Sequence, residues 1–236
     1  MSSPSLPSEY HRVRQVGSFQ QLVSTPFRDG INAIYWPRTL PGDFGEVIRH
    51  LSLDDELTSL EEDQLLSLPL SSAGQAAVAV LIEDLKLLRE LDLDPILNAI
   101  LSYPRETDPG PVPVDVYSFH ADSAPVEAET WLCTYHGAPS EGLRNDEAQR
   151  RVDIPEVRAE LLKAFGGKDD ESFRDYLTEH CYDLHYAPLP GACPFSFGLG
   201  NLWRITVDYP GSPVPPCLHR APDNPPDGTP RLLLIS

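Results

Sequence analysis

The sequence predicts an α+β fold, with a helical first half and a strand-and-turn second half, on three observations. The first is where proline falls. Of 25 prolines in 236 residues, residues 42–103 hold two (Pro69 and Pro95) and residues 187–236 hold eleven. Proline breaks helix interiors and is tolerated at turns and strand ends. The second is one long amphipathic pattern, Gln75 to Leu91, and the third is a run of β-branched and aromatic segments after residue 111. A hydrophobic content of 41% argues for a packed core rather than the disorder that excess proline would otherwise suggest.

Residues 1–30 read as an extended lead-in, and residues 31–236 as a single domain. Ile31 to Trp36 is a strand bounded by Gly30 and Pro37. Asp43 caps a short helix running to Leu51. In the 75–91 helix, Val78, Leu81, Ile82, Leu85, Leu88 and Leu91 form the core stripe, and Glu83, Asp84, Lys86, Arg89 and Glu90 the solvated face. Residues 31–111 are thus expected to be mainly helical support. Past a linker at Pro104 to Pro111, Val112–His120 and Thr130–Tyr135 read as adjacent strands. A helical insertion is expected at about 150–185, with Pro155 in a first helical turn. Leu202–Tyr209 and Arg231–Ile235 return to strand.

Charge and cysteine usage narrow the function classes. Eighteen basic against 36 acidic residues give a net charge of −18, which disfavours nucleic acid and anionic membrane surfaces as partners. Neither a membrane span nor a secretory signal is visible. Cys133, Cys181, Cys193 and Cys217 form no CxxC pair, so reduced thiols and a cytoplasmic location are expected. A small molecule is the expected partner.

One constellation carries chemistry. His120-Ala121-Asp122 ends a predicted strand, where residues two apart share a face. His219 follows on a later strand, and Arg231 opens the last one. Two imidazoles and a carboxylate on one face of an octahedral metal leave positions open for co-substrate and O2, while a guanidinium matches a carboxylate in bidentate fashion.

With these residues in this order, residues 112–236 resemble the Fe(II)/2-oxoglutarate-dependent oxygenases, whose signature is HxD, a distal His, then an Arg or Lys. The resemblance implies a double-stranded β-helix (jelly-roll, cupin-like) core. It also implies His120, Asp122 and His219 as Fe(II) ligands and Arg231 on the distal carboxylate of 2-oxoglutarate. Phe119-His120-Ala121-Asp122, Leu132-Cys133-Thr134-Tyr135 with Gly137, and His219-Arg220-Ala221-Pro222 are similar to an uncharacterised bacterial and fungal family with this layout. The oxygenases often carry Arg-x-Ser where this chain has Arg231-Leu232-Leu233, so Thr134 or Tyr135, or else Thr229, is expected to supply the second hydrogen bond. Phe119, Tyr117, Trp131 and Trp203 are the expected apolar wall, and Arg204, Arg220 and Arg144 the cations for a substrate carboxylate. Some fungal oxygenases of similar size oxidise amino acids in secondary metabolism, including ring closure of valine to an aziridine. This implies hydroxylation or oxidative cyclisation of an amino acid or related intermediate, with succinate and CO2 as co-products.

Other patterns are weaker. His180-Cys181 and His185, with Cys133 and His136, lack the paired-Cys spacing of structural zinc sites. A cupin-like metal enzyme that does not use 2-oxoglutarate, or a non-enzymatic binding protein, stays open at the level of sequence.

Overall fold

The computed structural model describes residues 10–53, 55–105, 110–225 and 227–236. In chain order the elements are β1 (Val13–Gln15), α1 (Phe19–Ser24), β2 (Ala33–Trp36), α2 (Phe44–His50), β3 (Leu57–Ser59), α3 (Glu62–Ser67), α4 (Ser72–Arg89), β4 (Ile96–Ile100) and β5 (Glu129–His136). There follow β6 (Glu141–Leu143), β7 (Ala148–Arg150), α5 (Pro155–Phe165), α6 (Glu171–Glu179), β8 (Tyr186–Pro188), β9 (Phe195–Ser196), β10 (Leu202–Thr206), β11 (Leu218–Arg220) and β12 (Arg231–Ile235).

This is a mixed α+β architecture around one large sheet, ordered β1-β2-β10-β5-β12-β4-β3. All its pairings are antiparallel except β1 with β2. Period-two alternation splits each central strand between two clusters. Trp131, Cys133 and Tyr135 of β5, with Leu232 and Leu234 of β12, pack under Val78, Leu81, Leu85 and Leu88 of α4. Leu132 and Leu233 turn to the opposite face with Tyr35, Trp203 and Ile205, where they meet Phe195 and Phe197. Those two phenylalanines belong to β9 and its extension, at the edge of a second, three-stranded sheet ordered β11-β6-β9. The inter-sheet space on this opposite face holds the site described below. β7 and β8 form a separate pair beside α5 and α6, whose residues Leu161, Phe173 and Leu177 enclose Val112 and Val152 in a satellite core.

Local chemistry accounts for the helix ends. Asp43 caps α2 through Glu46 N, and Ser71 caps α4 through Ala73 N and Gly74 N. Pro155 opens α5, and Gly166 closes it in the left-handed conformation at φ 71°.

Three expectations need correction and one needs extension. The expected lead-in contains β1 and α1, because Leu22 is fully buried in the helix-side core; residues 1–9 lie outside the described residues. The 31–111 region carries α2, α3 and α4, as expected, and besides them supplies β2, β3 and β4 to the main sheet. Ile96–Ile100 is buried on both faces beyond its first residue and so carries no period-two signal. Val112–His120 is not a strand, since Pro111 and Pro113 lack the N–H a ladder needs and Asp115 Oδ1 accepts from Tyr117 N and Ser118 N, making a turn. Finally, Asp84 leaves the solvated face of α4 and is 2% exposed. Of the expected linker, residues 106–109 lie outside the described residues. Among the described residues no helix is long and apolar enough to cross a membrane.

Candidate metal centre

His120 and Asp122 reach one face without belonging to a regular strand. Phe119 and Ala121 pack outward against Leu143 and Leu218, so the intervening residues turn inward. His120 N donates to His219 O at 2.9 Å, and His219 N donates back to His120 O at 3.0 Å. This reciprocal pair makes the two histidines direct cross-strand neighbours, which puts their side chains on one side. Their ring centroids are 4.6 Å apart.

Asp122 completes the cluster. Its Oδ1 lies 3.9 Å from His120 Nε2 and its Oδ2 lies 3.8 Å from His219 Nε2. These separations are too long for hydrogen bonds, yet the three ligand atoms lie within 4.8 Å of one another. Each imidazole has its other nitrogen on a main-chain carbonyl: His120 Nδ1 to Ser118 O at 2.8 Å, and His219 Nδ1 to Cys217 O at 3.5 Å. A carbonyl only accepts, so Nδ1 carries the proton and Nε2 presents its lone pair, the tautomer a metal ligand needs. Thr130 Oγ1 donates to Asp122 Oδ2 at 2.5 Å and orients the carboxylate.

The electrostatics suit a cation. Burial, aided by His219, pushes the His120 imidazole down to about 4, keeping it neutral. Burial works to raise the Asp122 carboxyl, but His219, the Thr130 hydrogen bond and His120 together hold it below its ordinary value. A neutral His120 imidazole beside an ionised carboxylate suits a ligand set.

Arg231 opens toward the same inter-sheet space. It is 5% exposed, and burial lowers its affinity for its own proton. Its contacts are neutral: Nη2 donates to Ser140 Oγ at 3.1 Å and Nη1 to Tyr103 Oη at 3.4 Å, while Nε has no partner. Among the described residues no carboxylate pairs with it. Ser140 lies two residues before Gly142, the cross-strand partner of His219. The guanidinium is therefore tied to the segment that leads into β6, beside the histidine's cross-strand partner.

Other sequence-predicted site residues divide by sheet face. Thr134 shares the Arg231 face, opposite Leu233. Tyr135 does not: it stacks on Phe44 and donates to Asp84 Oδ2 at 2.6 Å, under the helices. Arg204 and Trp131 also lie on the helix side. Arg204 pairs with Glu129 at 2.5 Å and donates to the carbonyls of Leu22, Val23 and Thr25, closing α1. Trp131 Nε1 donates to Glu129 Oε1. The alternation of strands β5 and β10 dictates both placements, so neither residue reaches the metal ligands. Trp203 fills the inter-sheet core, stacked on Phe197 at 4.2 Å. Phe119 sits outward beneath Arg220, whose guanidinium lies 4.7 Å from its ring and pairs with Glu141 at 2.6 Å. Arg144 pairs with Asp146 at 2.7 Å. Tyr117 lies near Arg231 through Tyr103, whose backbone N donates to its hydroxyl at 2.9 Å.

The zinc alternative does not assemble. His180 is exposed, Cys133 is buried under the helices, and His120, Asp122 and His219 are the metal-capable group among the described residues. Sequence reasoning missed Thr130, Ser140 and Tyr103, and placed His185 only in the weaker zinc pattern. Thr130 was accessible, because it shares the strand parity of Thr134; Ser140, Tyr103 and His185 come from loops or from a two-residue bridge, which leave no periodic signal. The chain matches no family model, no curated protein and no solved structure in such comparisons.

Proposed function

We propose that this chain is a non-haem Fe(II)- and 2-oxoglutarate-dependent oxygenase acting on a small molecule. One observation carries the proposal: a His120–Asp122–His219 cluster with both Nε2 atoms free faces the same inter-sheet space as a buried arginine that has only hydroxyl partners. An arginine buried without an acid is costly, and a ligand carboxylate offsets that cost. On this reading the two facing sheets are the halves of a distorted double-stranded β-helix.

The residues fit the absent groups. His120, Asp122 and His219 would hold Fe(II), which supplies the oxidising chemistry with O2 and 2-oxoglutarate. Arg231 would take a carboxylate of 2-oxoglutarate. Ser140 and Tyr103, rather than Tyr135, stand where a second hydroxyl contact is needed, replacing the serine that Leu233 displaces. Thr130 fixes the carboxylate of Asp122, and Ser118 O fixes the His120 tautomer. Phe195, Phe197 and Trp203 exclude water from the inter-sheet side.

Anaerobic titration tests this without turnover. Fe(II) with 2-oxoglutarate should give a visible charge-transfer band, and Arg231→Met should abolish the band while leaving iron uptake intact. Folded protein that binds iron but shows no band overturns the co-substrate assignment. Folded protein that binds no iron overturns the whole proposal.

A further inference from the structure

Beside the metal ligands lies a cavity of about 320 Å³, whose walls include His120, Asp122, Asp115, His185, Val114 and Leu184. Its size suits a small ligand. Two of its polar groups have no structural task that uses them fully. Asp115 spends Oδ1 on the turn at Tyr117 and Ser118, while its other carboxylate oxygen has no hydrogen bond or ion pair among the described residues. His185 is 5% exposed, lies with its ring 5.7 Å from that of His120, and leaves Nδ1 without a partner. A buried imidazole nitrogen that nothing among the described residues satisfies points to a ligand.

The charge of the wall selects the class of ligand. Among the described residues no lysine or arginine lines the cavity, and the charged residues other than histidine that do are the carboxylates Asp115 and Asp122. Arg151 is outside the lining; its charge acts on Asp115 and on His185 without forming a close ion pair with Asp115 among the described residues. An anion would meet the carboxylate of Asp115 in the wall itself, with Arg151 acting only from outside the lining, whereas an ammonium would find both a free carboxylate oxygen and an imidazole in the wall. The apolar walls suit a short carbon chain between them and the metal ligands.

We propose that this cavity is the substrate subsite and that it takes the ammonium group of a small primary amine, with Asp115 holding the charge and His185 hydrogen-bonding the same ligand. As a substrate subsite it rests on the oxygenase reading. Asp115 and His185 select and position; they are not ligands of the metal.

The test is ligand-observed saturation-transfer NMR with butylammonium, butanol and butyrate as probes, on the metal-free protein and with one equivalent of Zn(II). Butylammonium should bind about tenfold or more tightly than either other probe, the scale of one charge-assisted hydrogen bond. Asp115→Asn keeps an oxygen for the turn and should erase that preference. His185→Phe should weaken the amine several-fold, and His185→Gln should restore most of it. Equal binding of butyrate, or an unchanged preference in Asp115→Asn, overturns the subsite. Zinc uptake, read by chelator competition, judges the metal centre separately. Zinc binding without an amine preference removes the subsite alone; an amine preference without zinc binding removes the oxygenase reading but leaves an amine site.

Discussion

The two faces of the main sheet both bury charge, and they treat it in opposite ways. Under the helices, Arg38 Nη1 meets Asp84 at 2.6 Å, and Arg38 also donates to Gly200 O and Cys133 Sγ. Tyr135 donates to the second oxygen of Asp84, and burial pushes the Cys133 thiol up to about 12, which keeps it unreactive. Arg204 is likewise matched by Glu129. On the opposite face Arg231 has two hydroxyls and an unpartnered Nε. A fully satisfied network specifies structure. A buried cation left with neutral partners is costly, and under the proposed function a ligand carboxylate offsets that cost.

This contrast breaks first at Asp84. Asp84→Ala strands Arg38 in the core, with side-chain exposures of 8% for Arg38 and 3% for Asp84. It should cost about 3–5 kcal/mol of stability, read by denaturant melts, with metal affinity unchanged in whatever fraction stays folded. A loss below about 1 kcal/mol would show that the helix-side network is no more than a weak surface-type pair, and the comparison would lose its structural half. Thr130→Val acts on the other face and should spare stability more than metal binding. It removes the hydrogen bond that orients Asp122 and should weaken Zn(II) or Fe(II) affinity about tenfold to a hundredfold, as loss of an outer-shell partner does. Unchanged affinity in chelator competition would mean that Asp122 is oriented by the metal alone.

How much of this was legible in the sequence depends on the range of the interactions concerned. The α4 stripe, the Asp43 cap and β5 are written in spacing and end residues, and the structure has them. The alternation that sends Tyr135 one way and Thr134 the other was also legible; choosing between them required knowing which face the helices cover. Asp84 occupied a polar position on a helical wheel, and only Arg38 and Tyr135, distant in the chain, make its burial tolerable. Strand alternation predicts His120 and Asp122 on one face. They reach one face, but through a bridge to His219 and an Asp115 turn rather than through a ladder. Tyr103 and Ser140 come from loops whose geometry is set by long-range contacts, so no local pattern announces them.

The smallest expected effect is the sharpest test of the comparison, because its sign is opposite to the ordinary one. Truncating a buried, hydrogen-bonded residue usually destabilises, and Arg231 spans the end of β12 beside Gly137, where an added Cβ would meet Pro230 O at 2.7 Å. Space at the stem is therefore tight, and an unbranched side chain of similar length is required. Arg231→Met keeps the stem and removes a charge that burial disfavours. Ser140 and Tyr103 lose only a donor, and their hydroxyls can rotate to other acceptors or water. In the absence of any ligand, Arg231→Met should therefore gain about 1 kcal/mol, the surplus of a buried charge over its hydroxyl contacts. Adding 2-oxoglutarate with Fe(II) should then stabilise the native chain and not the variant, since a ligand raises stability only where it binds the folded state. A ligand-free Arg231→Met that melts earlier than the native chain would place Arg231 with Arg38 as a structural charge, and the two faces would no longer differ.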